Sequence, residues 1–149
     1  MKRSLSAMLL PALLFIAVAA RALEAPEVKP GLWQTTIKHA TDNPASAAPG
    51  TFSRCLDAKT IAASKQKAMD YAEKNCSKNE TRQVGANWVT DMVCKLGGKA
   101  TMITHSVTTF SGENAYHTEM TTTFEPPAAG QAHSGTIIDG KWLGACKGT

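Results

Sequence analysis

The chain has 149 residues, 43% of them hydrophobic and 19% charged, with 16 basic and 12 acidic side chains for a formal net charge of +4. That balance excludes a disordered polyelectrolyte, and the length suits one domain with a modest core. Part of the basic excess sits in the first 21 residues, and it changes meaning with them.

Lys2 and Arg3, an apolar run from Met8 to Ala20, and Ala20-Arg21-Ala22 match the positive, apolar and small-x-small parts of a secretory leader. Cleavage is expected after Ala22, leaving 23–149 as a single exported domain. The apolar run of about 13 residues is too short to cross a ~30 Å hydrocarbon core, and Pro11 interrupts it, so no membrane anchor is expected after cleavage. No Cys lies near the cut to carry a lipid. Loss of Lys2, Arg3 and Arg21 would leave 13 of the 16 basic residues against 12 acidic ones. Such a domain has no excess to neutralise phosphates, so nucleic acid is not an expected partner.

Pro30 to Lys38 reads as a strand with Trp33, Thr35 and Ile37 on one face. Ala40 to Gly50, with Pro44, Pro49, Asn43 and Ser46, reads as a surface loop, and Thr51 to Cys55 as a short strand. Leu56 to Asn75 holds no Gly or Pro, Asp57 can cap it, and Ile61, Ala68, Met69 and Ala72 recur at helical spacing, which predicts a helix. Two strands then flank Val84-Gly85-Ala86, expected as a three-residue hairpin loop with Gln83 facing Asn87. After Leu96-Gly97-Gly98 come a Thr-rich strand from Ala100 to Phe110, a turn at Ser111 to Asn114, and a strand from Tyr116 to Phe124 ending at Pro126-Pro127. A last strand runs from Gly135 to Cys146 with a potential break at Asp139-Gly140.

With Phe110 opposite Tyr116, one face would carry Met102, Phe110, Tyr116, Met120 and Phe124. The other would carry His105, His117, Glu119 and several threonines and meet water.

Cys55, Cys76, Cys94 and Cys146 are an even set without a Cys-x-x-Cys, which favours disulfides over zinc or redox chemistry. A helix between Cys55 and Cys76 would hold those residues roughly 25 Å apart, far beyond the ~5.5 Å between Cα atoms of a disulfide. Counting outward from the hairpin loop, Cys76 faces Cys94. The expected bonds are therefore Cys76 with Cys94 and Cys55 with Cys146.

The chemistry-bearing residues are sparse. His39, His105, His117 and His133 lie at no metal-ligand spacing; His105, His117 and Glu119 are the one conceivable set, and no metal or cofactor is expected. Gly-x-Ser-x-Gly, His-Glu-x-x-His and Ser-x-x-Lys are absent, and Leu96-Gly97-Gly98-Lys99 lies between strands, without the following helix that a phosphate loop requires. Trp33, Trp88 and Trp142 each fall on a predicted strand. They either fill the core or line an apolar groove where a curved sheet wraps the helix, and they are the groove candidates.

Pro30-Gly31-Leu32-Trp33, Cys55-Leu56-Asp57, the Cys76 to Cys94 hairpin, Phe110-Ser111-Gly112 and Gly144-Ala145-Cys146-Lys147, in this order behind a leader, resemble the exported bacterial family numbered 3617 among domains of unknown function. The resemblance spans Val28 to Lys147 and implies export from a Gram-negative bacterium, with no activity to carry over. It also implies Met-rich turns in the first loop, which Ala40 to Gly50 lacks.

The expectation is an α+β domain, mostly antiparallel β: a meander, curved like a half-barrel, packed on one helix and held by two disulfides. It would sit in the periplasm or outside the cell. There it would act as a non-enzymatic module for a small apolar ligand or an envelope protein, the alternatives being an enzyme or a structural envelope factor.

Overall fold

The computed structural model describes residues 25–41, 48–97, 99–128 and 130–147; the expected leader and most of the Ala40 to Gly50 loop lie outside them. The order of elements is β1 (Gly31–Thr41), β2 (Gly50–Leu56), α1 (Ala58–Asn75), β3 (Cys76–Val84), β4 (Asn87–Leu96), β5 (Ala100–Ser111), β6 (Ala115–Ala128) and β7 (Gln131–Gly144). The strands form one open antiparallel sheet in the order β2-β1-β7-β6-β5-β4-β3. The meander is thus present, and β2 and β3 are its edges.

Helix α1 links those two edges. Asp57 caps it, accepting a hydrogen bond from the Thr60 N–H at 2.6 Å, and the Cys76 N–H closes its last turn on the Ala72 carbonyl. Eighteen residues rise about 27 Å, whereas six inter-strand spacings span ~29 Å. Leu56 and Cys76 also lie at opposite ends of their strands, so only a twisted, curled sheet brings its edges within the helix's reach.

Phe110 pairs with Tyr116, Ser106 with Met120 and Met102 with Phe124, which places the aromatic and methionine residues on one face as expected. Trp33 pairs with Trp142, Trp88 with Thr108, and Asn79 with Met92, so the three tryptophans share that face with the strand residues that border α1. This is the inner face. It buries Trp33, Trp88, Cys94, Thr104, Thr122 and Thr136.

The threonines correct the expectation that the Thr-rich side meets water. They are divided between the two faces, and the buried ones lie inside. A β-branched methyl packs on the pleated surface while the hydroxyls satisfy one another across strands, Thr104 with Thr122 at 3.3 Å and Thr108 with Thr118 at 2.9 Å. Gly140 makes room for the Tyr116 ring, which a Cβ there would overlap and which stands 5.7 Å from Trp33.

Three boundaries also differ. β6 continues through Pro126-Pro127, and β7 runs unbroken from Gln131 across Asp139-Gly140. The β3–β4 loop is only Gly85-Ala86, with Gly85 at φ 62°, so Gln83 faces Trp88 and not Asn87. A bulge between Cys76 and Lys78 absorbs that one-residue slip, and Cys76 still faces Cys94.

Both disulfides form as expected, Cys55 with Cys146 and Cys76 with Cys94. Cys55, near the end of β2 that leads into α1, is tied to the segment that follows β7, and Cys76, the residue after α1, is tied to β4, so the chain is cross-linked on both sides of the helix. Of the expected helical stripe, Ala68 and Met69 are exposed and Ile61 is half-buried; Ala72 is the one buried helix residue among those described.

Candidate functional site

The sequence places small and aliphatic side chains at Ala58, Ile61, Ala62 and Met69, which a 3.6-residue repeat brings to one side of α1. Opposite them runs the extended segment before β1. Together with Val28 and Pro30, this stripe walls a cleft of about 400 Å³, rimmed by Glu27, Lys65 and Gln66. Lys65 Nζ donates to Glu27 at 2.6 Å across the opening, tying the segment to the helix. A second hollow of about 350 Å³ continues along the helix past Ala72, Glu73, Cys76 and Asn79, and Met69 borders both. Met69 is 54% exposed although its neighbours along the stripe are aliphatic.

The tryptophans reach this site through the backbone. The Trp33 indole N–H donates to the Lys29 carbonyl at 2.9 Å, and the Trp142 indole N–H to the Pro30 carbonyl at 3.2 Å. Lys29 Nζ lies 3.7 Å from the Trp142 ring centroid. Trp33 and Trp142 thus fix the segment that forms one wall, while Trp88 is buried farther along the inner face. The clefts described here are lined by none of the three.

A third hollow, about 320 Å³, lies where β1, β7 and β6 meet, beside His39, Met120, Thr136 and Ile137. His39 Nδ1 is 3.2 Å from the Thr136 hydroxyl.

The outer face carries two clusters of ionisable groups. His117 Nδ1 is 2.7 Å from Asp139 and its Nε2 3.3 Å from Glu119; the Asp139 hydrogen bond, then that of Glu119, raises the imidazole pKa above 6.5. Both ring nitrogens are engaged by carboxylates, which leaves no nitrogen to take a proton from a nucleophile. Asp91 accepts from Arg82 and pairs with His105 at 2.7 Å, and these bonds lower its pKa to about 2. His105 and His117 share this face but stand four positions apart in register, roughly 13 Å at ~3.3 Å per residue. Among the described residues no group of three or more His, Cys, Asp or Glu is placed to hold a metal ion.

What sequence reasoning missed is the segment from Glu27 to Pro30. Its signal is weak, because a wall made by extended chain has no periodicity to read.

The two disulfides point to an oxidising, extracytoplasmic setting, and no helix among the described residues is long and apolar enough to cross a membrane. No curated protein and no solved structure matches the chain. One family model, described as a protein of unknown function, matches residues 28–146, from the first wall of the cleft to the last cysteine, and the chain therefore belongs to the DUF3617 family.

Proposed function

We propose that this is a non-enzymatic binding module of the periplasm or the extracellular space, exported on residues 1–22, whose cleft beside α1 takes the alkyl chain of a small amphiphile. The observation that carries the reading is the cleft itself. Its volume of about 400 Å³ falls in the ~300–1,000 Å³ range of small-ligand sites, and its walls are Val28, Pro30, Ala58, Ile61, Ala62 and Met69. Aliphatic walls without an aromatic plate favour a chain over a flat ring, and a methionine adapts to irregular contours. Glu27, Lys65 and Gln66 at the rim supply polar partners for a head group.

The mounting of the helix supports the same reading. With the chain cross-linked on both sides of α1, the helix is restrained from moving to cover its own apolar stripe. Met69 therefore keeps surface in water whose burial would be favourable by ~25 cal/mol per Å². Trp33 and Trp142 serve the site as anchors of the Lys29-Pro30 wall.

The test is native mass spectrometry of the protein purified from its own extracytoplasmic fraction. An adduct with the mass of a single-chain amphiphile, lost in Ile61→Glu, is the expected result. A ligand-free wild type, or an adduct that survives Ile61→Glu, would overturn the reading.

A further inference from the structure

The two edges of the sheet differ in how they are defended. β3 bears Lys78, Glu80 and Arg82 along its length, the kind of charge that discourages edge-to-edge pairing. β2 has every residue but Leu56 exposed and carries a single charge, Arg54, which has no hydrogen-bond or ion-pair partner among the described residues. Two positions away Phe52 is 50% exposed.

Phe52 pairs with Thr35 and Arg54 with Trp33, so both side chains project from the same face of the strand. An antiparallel pairing of two β2 strands about a twofold axis through Ser53 sets Phe52 of each copy opposite Arg54 of the other. No like charges meet in that register, and each unpartnered guanidinium gains an aromatic ring. The strand is complementary to itself. We infer that the partner of this edge is a second copy of the chain, joined by antiparallel β2–β2 pairing centred on Ser53 into one continuous sheet.

The run available for pairing is short: the twofold through Ser53 sets Thr51 opposite Cys55 and Gly50 opposite Leu56, so the seven residues of β2 are the most that can take part. Such a contact lies at the small end of interfaces, below ~1,200 Å², and gives a weak, concentration-dependent dimer.

Sedimentation velocity of the oxidised protein over a wide concentration range tests the inference, with circular dichroism confirming that each variant is folded. Wild type is expected to move from monomer towards dimer. Phe52→Lys sets an ammonium opposite Arg54 and should weaken the dimer at least ~10-fold, whereas Phe52→Glu sets a carboxylate there and should leave it as tight or tighter. Phe52→Lys combined with Arg54→Glu should restore association. A wild type that stays monomeric, a dimer that persists in Phe52→Lys, or equal loss in the Lys and Glu variants would overturn the register and the partner together.

Discussion

The two disulfides close loops of very different length, and that difference sets their contributions to stability. Cys55 and Cys146 are 91 residues apart in sequence, Cys76 and Cys94 only 18. In the chain-entropy model the longer closure stabilises by about 4.7 kcal/mol and the shorter by about 3 kcal/mol, a gap of roughly 1.5 kcal/mol. Deleting side chains would blur the comparison, since Cys94 is 1% exposed and its loss would add a cavity. The cleaner perturbation keeps the cysteines of interest. Cys76→Ala/Cys94→Ala leaves one bridge, Cys55→Ala/Cys146→Ala leaves the other, and each variant is unfolded in urea both oxidised and reduced. The oxidised-minus-reduced difference should be larger for the Cys55–Cys146 bridge by roughly 1.5 kcal/mol. An equal or larger difference for Cys76–Cys94 would refute the reasoning.

Gly140→Ala should destabilise by about 1–3 kcal/mol in urea unfolding, because the new Cβ displaces the Tyr116 ring from its contact with Trp33, and the cost should shrink in a Tyr116→Ala background. Equal costs in the two backgrounds would remove the steric explanation. For His117 the sign is set by a raised folded pKa: its contribution is fully present below the ordinary value of 6.5 and fades as pH rises through the raised one. NMR titration should place its midpoint above 6.5, and Asp139→Asn should bring it down; a midpoint at or below 6.5 in the wild type would contradict the pairing. The destabilisation caused by Asp139→Asn should accordingly be larger near pH ~6 than above pH ~9.

The meander, the helix and both disulfides were legible because each leaves a local mark: alternation, an uninterrupted stretch capped by Asp57, and an even cysteine count. The hairpin shows where counting falls short. A loop of two residues in place of three and a bulge beside Cys76 shift the register in opposite senses, so the pairing of Cys76 with Cys94 emerges from two irregularities that cancel. The buried threonines were misread because polarity was taken as exposure, whereas Thr104 and Thr122 satisfy each other's hydroxyls inside. The apolar cleft could not be read at all. It is assembled from one side of α1 and an extended segment that two indole N–H groups hold in place, a tertiary relation without a periodic signature.

The central claim, an alkyl-chain site beside α1, is tested most directly by fluorescence titration of the oxidised protein with a dansyl-labelled fatty acid. Saturable binding to the wild type, retained in Ala63→Glu on the exposed side of α1 and weakened at least ~10-fold in Ile61→Glu, is the predicted result. No binding to the wild type, or equal affinity in Ile61→Glu, would contradict it.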